Sequence, residues 1–218
     1  AGMSFQKFNT DLSYVTGEDF PVEALKKLAS AGRITGGSTS ASENAIVSYF
    51  ARANYKFDNK YLLSLSGRVD GSSRFGKDNQ YGFFPAASAG WVLSEENFLS
   101  SSKTISFLKL RASYGISGSD DGFGDFGSLG LWGAAKYNNV SGLVPTQLPN
   151  PGLKWERSEQ TDIGLDFGLF NNRISGEIDY YVRNTRDLIY SVPVPGTSGY
   201  TTQLTNVGSM QNKGFEFV

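Results

Sequence analysis

Ala45-Ile46-Val47-Ser48-Tyr49-Phe50-Ala51-Arg52-Ala53-Asn54-Tyr55-Lys56-Phe57 decides the fold class, because it reads with a period of two. One parity is Val47, Tyr49, Ala51, Ala53, Tyr55 and Phe57; the other is Ile46, Ser48, Phe50, Arg52, Asn54 and Lys56. Such alternation predicts a strand with an apolar face and a mostly polar one. Asp58-Asn59 follows, residue types that tolerate a tight turn. Beyond it Tyr61, Leu63, Leu65, Gly67 and Val69 alternate with Ser64, Ser66, Arg68 and Asp70.

The texture recurs along the chain. Leu108, Leu110, Ala112, Tyr114 and Ile116 interleave with Lys109, Arg111 and Ser113. Ile163, Leu165, Phe167 and Leu169 interleave with Asp162 and Asp166, and Ile174, Ile178, Tyr180 and Val182 with Glu177, Asp179 and Arg183. Ala86 to Leu93 is a weaker case, and a last strand is expected from near Asn206 to the final residue. Where alternation is clean, every charged residue sits on one parity.

A soluble β-sandwich also alternates, so the period alone leaves it open; it would bury Tyr49, Ala51 and Tyr55 against a second sheet. Three features favour a slice of a transmembrane barrel. Several strands reach about ten residues, the length a tilted membrane strand needs, against about 5–6 in soluble sheets. Short turns at Asp58-Asn59 and Asn171-Asn172 contrast with long connections at Gly71 to Phe83, Ser117 to Leu153 and Ser191 to Thr205, the asymmetry of outer-membrane barrels. Tyr55, Phe57, Tyr61, Phe170 and Tyr190 stand at strand ends, where aromatic girdles belong. The expected fold is therefore all-β, an antiparallel meander of about eight strands with long external loops. Val47, Tyr49, Ala51, Leu63, Leu65, Leu110, Ala112, Leu165 and Ile178 would face lipid. Arg52, Arg68, Lys109, Arg111, Asp162, Asp166, Glu177 and Asp179 would face the lumen, since a basic side chain on the lipid side at mid-membrane costs about 2–4 kcal/mol.

Composition agrees. The chain has 26 glycines and 14% aromatic residues, suited to curved, girdled sheets. A net charge of −1 gives no basic face for nucleic acid. The absence of cysteine and histidine removes thiolate chemistry and the commonest general base and metal ligand. One helix is expected in the first loop, with Pro21 at its start, Val22, Leu25, Leu28 and Ala29 on one face, and Gly32 at its end.

Few motifs carry chemistry. Gly122-Phe123-Gly124-Asp125-Phe126-Gly127 fits a dinucleotide fingerprint in spacing, but no helical pattern follows it. Asp120, Asp121 and Asp125 offer hard oxygen ligands for a cation such as calcium in a spacing that matches no standard loop; a solvated acidic loop is the alternative. Glu95-Glu96 reads as a solvated turn rather than a glycosidase pair. No cofactor and no enzymatic activity are expected. Trp132, Tyr137 and Trp155, in or beside the longest loop, either bind a ligand, by stacking on a sugar face or anchoring a peptide, or pack the loop upon itself.

Four blocks in order resemble the SusC/RagA family of TonB-dependent transporters. They are Arg68-Val69-Asp70-Gly71-Ser72-Ser73-Arg74-Phe75 leading to Phe84-Pro85 and Trp91; Phe107-Leu108-Lys109-Leu110-Arg111-Ala112-Ser113-Tyr114-Gly115; Leu153-Lys154-Trp155-Glu156 with Gln160 and Gly164-Leu165-Asp166; and Asp179-Tyr180-Tyr181 with Thr185, Asp187-Leu188, Asn206-Val207-Gly208 and Asn212-Lys213-Gly214. The resemblance implies a bacterial outer-membrane barrel of about 22 strands with a plugged lumen. It also implies a SusD-like lipoprotein lid, TonB contact through an N-terminal region, and import of oligosaccharides or peptides. Residues 1–218 are then expected to be an internal part of the barrel domain, without plug, N-terminal region or C-terminal strands. A passive porin is the nearest alternative.

Overall fold

The computed structural model describes residues 1–138 and 140–218; position 139, inside the expected 117–153 loop, lies outside the described residues. In chain order the strands are β1 (Gly2–Glu18), β2 (Arg33–Phe57), β3 (Tyr61–Ser72), β4 (Tyr81–Val92), β5 (Ile105–Ser119), β6 (Leu131–Tyr137) and β7 (Val140–Gln147). They continue with β8 (Glu156–Leu169), β9 (Ile174–Arg186), β10 (Ile189–Pro193), β11 (Thr202–Asn206) and β12 (Ser209–Phe217). Eight form one open antiparallel sheet in the order β1-β2-β3-β4-β5-β8-β9-β12, and β6-β7 and β10-β11 are separate hairpins. The all-β meander expected from the periodicity is the fold found.

Register turns the alternation into two faces. The partners Tyr55, Leu63, Ala89, Ala112, Ile163, Tyr180 and Phe215 make a continuous apolar row across seven strands. Three residues away, Arg52, Ser66, Ala86, Gly115, Gln160, Arg183 and Asn212 make a polar row on the other face. On β3 the apolar-face residues Leu63 and Leu65 are exposed, whereas Leu62, Ser64 and Ser66 opposite them are half-buried. The charged face is thus the more enclosed one.

Asp58 and Asn59 have positive φ, as do Phe170, Asn171 and Asn172; Asp and Asn tolerate this left-handed region best. Those two turns share one end of the sheet with the 93–104 connection, a longer one that opens with a 3-10 helix at Leu93–Glu95. The other end carries the 19–32, 73–80, 120–155 and 187–208 connections.

Several expectations are corrected. Residues 21–32 form no α-helix, only a 3-10 turn at Leu28–Ser30. Val22, Leu25 and Leu28 stay exposed, so no buried face offsets the cost of helix nucleation. β1 was not legible as a strand, and β2 begins at Arg33 rather than Ala45. Together they form a long ribbon whose upper part, beyond Lys7 and Ala45, loses the apolar parity. The last strand starts at Ser209, because Asn206 closes β11. The 117–153 connection, expected to lack strands, contains the β6-β7 hairpin.

The loop end is tied by its own core. Phe75, Phe84, Leu153, Trp155 and Ile189 are buried together, drawing on three connections and β4. The Trp155 ring lies 5.0 Å from Phe75 and 5.4 Å from Phe84. Gly118 leaves the space these rings need, since a Cβ there would strike both Phe84 and Trp155. Trp155 Nε1 donates to Gln80 O at 2.9 Å. Asn206 Nδ2 donates to the carbonyls of Lys154 and Asp187 at 2.7 and 2.8 Å. Leu153→Ala, at a side chain with no exposure, should cost about 2–5 kcal/mol by the cavity it leaves. Urea-dependent proteolysis of the full-length protein should show the loops opening at lower denaturant while the strands hold.

Candidate functional site

The eight side chains expected in the lumen all lie on the charged face, following the register. Their densest group centres on Arg111. Its Nε donates to Asp166 at 2.7 Å, and its Nη2 lies 2.6 Å from Asp179 and 3.1 Å from Glu177. Lys109 reaches the other Asp166 oxygen at 2.9 Å. Asp162 accepts from Ser113 at 3.0 Å and from Gln160 at 2.7 Å, and Gln160 in turn accepts from Arg183 at 2.7 Å. Gly164 sits in the row between Arg111 and Asp179. Any Cβ there would run into both the carboxylate and the guanidinium. A bare backbone lets the guanidinium lie flat across the strand. Asp179 Oδ1 is, among the described residues, the one buried side-chain oxygen or nitrogen without a hydrogen-bond partner. A network of fixed counter-ions binds and orients polar groups. Apart from this group, Arg52 bonds Asn54 and Ser64, and Arg68 holds Asp70 at 2.6 Å.

The apolar face carries no charge from Val47 to Phe57, Tyr61 to Gly71, Tyr81 to Trp91, Leu108 to Tyr114, Thr161 to Leu169 or Ile174 to Val182. Charges on this parity appear toward the loop end, at Lys7, Asp11 and Glu43, at Arg157, Glu159 and Arg186, and at Lys213 opposite Val182. Five of these six runs match the 9–11 residues of a tilted membrane strand, and the run on β5 is shorter. At the turn end the band closes in a ladder of stacked rings, Tyr55, Phe57, Tyr61 and Trp91, with successive centroids 6.5, 6.4 and 6.3 Å apart.

Glu96 ties that ladder together, a role its reading as a solvated turn missed. It accepts from Trp91 Nε1 at 3.0 Å, from the Tyr61 hydroxyl at 2.8 Å and from Lys60 at 3.4 Å. The hydrogen bonds from Trp91 and then Tyr61 hold its carboxyl below the usual glutamate range. The sequence signal was the placing of Trp91, Lys60-Tyr61 and a carboxylate at one end of neighbouring strands.

The loop candidates separate. Trp155 is 7% exposed and belongs to the loop core, so its ring is closed to a ligand. Trp132 and Tyr137 are 67% and 88% exposed. However, they occupy opposite faces of the β6-β7 hairpin, Trp132 level with Pro145 and Tyr137 with Val140. One small ligand cannot be gripped by both. Asp120, Asp121 and Asp125 do not converge; among the described residues no three His, Cys, Asp or Glu side chains could hold a metal. Arg74 takes the central place instead. It bonds Asp125 at 2.9 Å and the Asp120 carbonyl at 2.8 Å, and Asp121 lies 3.7 Å away. Partial burial pushes the Asp125 carboxyl up, but hydrogen bonds from Ser42, Arg74 and Asn44 together bring it below its ordinary value. A carboxyl depressed in the folded state stabilises above its unfolded pKa and ceases to do so as pH falls through the folded value. Hydrogen exchange of residues 120–127 in the full-length protein should therefore stay slow through the pH at which a free aspartate is half protonated. It should rise only in more acidic solution, and Asp125→Asn should remove that step.

Comparison with known proteins agrees with this geometry. The model for the TonB dependent receptor-like β-barrel matches residues 1–218. TonB-dependent receptor P39 of Formosa agariphila is 40% identical over 220 residues, 99% of this chain and 21% of the receptor. The TonB-dependent receptor SusC of Bacteroides thetaiotaomicron is 44% identical over 185 residues, 81% of this chain and 18% of SusC. Among solved structures, a chain of the RagAB peptide importer in the closed-closed state superposes with a TM-score of 0.87 at 32% identity, covering 99% of this chain and 24% of the other. The siderophore receptor PirA of Pseudomonas aeruginosa, at 14% identity and a TM-score of 0.55, shares the fold alone. The chain thus spans about a fifth to a quarter of the length of the proteins it matches. Its relatives are receptors of the outer membrane and not enzymes. With its whole length matched and its charge confined to one face of the sheet, the chain belongs to the TonB-dependent receptor-like β-barrel family, of the SusC and RagA type.

Proposed function

We propose that residues 1–218 form part of the transmembrane barrel of an energised importer, working with a SusD-like surface lipoprotein to take up oligosaccharides or peptides, with TonB engaged elsewhere in the longer protein. The observation that carries this reading is the division of the sheet into a charge-free face of membrane height and an enclosed, ion-paired face. In it, Arg52, Arg68, Lys109, Arg111, Asp162, Asp166, Glu177 and Asp179 line the lumen. The apolar row from Tyr55 to Phe215 meets lipid. The kinship with SusC, and with a RagAB chain solved as a peptide importer, favours this over a passive porin.

The β6-β7 hairpin is the part placed to meet the lid or the cargo. Its first face offers Trp132, Ala134 and Leu143, and its second Tyr137, Val140 and Val144, most of them well exposed. Two apolar faces on a hairpin rooted in a rigid loop core suit two simultaneous contacts, one on each side. Replacing residues 131–147 by a short Gly-Ser turn in the full-length transporter is the test. The barrel should assemble, the lid lipoprotein should no longer co-purify, and uptake should fall at least tenfold. Unchanged lid retention and uptake would contradict the hairpin's role. Uptake that persists after the proton-motive force is dissipated would identify a porin.

A further inference from the structure

The upper part of the β1-β2 ribbon has a backbone edge without a partner. β3 pairs with β2 only from Ile46 to Phe57, whereas β2 runs back to Arg33. Ser73 N donates to the Ala45 carbonyl, and Ala45 N to Ser73 Oγ, which shows that odd-numbered residues of this stretch point their N–H and C=O toward the β3 side. In an antiparallel ladder that direction repeats every second residue. Gly37, Thr39, Ala41 and Glu43 therefore present their main-chain donors and acceptors to an open edge, and among the described residues no hydrogen bond fills them. The edge is the side of β2 opposite β1, beyond the point where β3 ends. Asn9 and Asp11 of β1, with Ala41, Ser42, Glu43 and Phe126, line a groove of about 530 Å³ over the neighbouring face of the ribbon.

We propose that this edge binds an extended peptide by strand addition, from Gly37 to Glu43. The inference rests on the importer reading and narrows its cargo to peptides. An open strand edge recognises a main chain whose donors and acceptors repeat every two residues, about 6.8 Å; a glycan has no such repeat. The side chains along the tract, Gly37, Ser38, Thr39, Ser40, Ala41 and Ser42, are small. They make few demands on the peptide's own side chains, so recognition falls on the backbone and tolerates varied sequence. The 120–127 loop, pinned to Asn44 and Ser42 through Asp125, sets the lower limit of the tract.

The test uses the full-length transporter with its lid and a fluorescein-labelled octapeptide of alternating serine and valine. Thr39→Pro with Ala41→Pro removes two edge donors at positions where proline leaves the β1 ladder intact. Peptide affinity should fall at least tenfold, while Thr39→Ala with Ala41→Ser should change it less than twofold. Alternate N-methylation of the peptide should weaken binding to the unaltered protein equally. Absence of binding to the unaltered transporter, or equal binding by the proline variant, would overturn the inference. Lid retention and energised uptake on the same preparations report the importer reading separately.

Discussion

The structure depends on one constraint: within hydrocarbon every backbone N–H and C=O must be paired inside the sheet, and only side chains are free to differ between faces. Strand geometry then sends successive side chains to opposite sides. A sequence meeting both conditions has no choice but to gather its charges on one parity. Rows that run Tyr55 to Phe215 on one side and Arg52 to Asn212 on the other are that constraint written across seven strands. Register makes it strict, because a slip of one residue would carry Arg111 and Asp166 onto the apolar face. The ion pairs among Lys109, Arg111, Asp166, Glu177 and Asp179 join three neighbouring strands, and so favour the register that brings these groups together.

Above the apolar band a different logic holds the chain. Water satisfies exposed backbone groups there, and the loops gain order from a small core of Phe75, Phe84, Leu153, Trp155 and Ile189 with polar straps from Asn206 and Arg74. The β6-β7 and β10-β11 hairpins project from this end of the sheet.

How much of this the sequence discloses follows the same division. Alternation was legible wherever one face meets an apolar medium, as in Ala45 to Phe57, and so were the turns at Asp58-Asn59 and Asn171-Asn172. β1 and the first part of β2 escaped notice because Thr35 to Ser42 is nearly all small and polar, with neither face buried to enforce a pattern. The β6-β7 hairpin escaped for the opposite reason, since both its faces hold apolar residues. Trp155 could be read either way from composition; only the convergence of Phe75 and Phe84, distant in sequence, decides that it packs. The carboxylates at Asp120, Asp121 and Asp125 read in sequence as a solvated loop or a weak cation site, whereas Arg74, from another connection, lies among them. Long-range partners of this kind leave no local trace.

The central claim is that parity along a strand equals the choice between lipid and lumen. It is tested most directly by nitroxide labels placed one at a time along β3, from Leu62 to Val69, in the full-length transporter reconstituted in bilayers. Collision with oxygen should be high at Leu63, Leu65 and Val69, and collision with a water-soluble nickel chelate low there; labels at Ser64, Ser66 and Arg68 should show the reverse. Accessibility without a two-residue period, or with the two sets exchanged, would contradict the account.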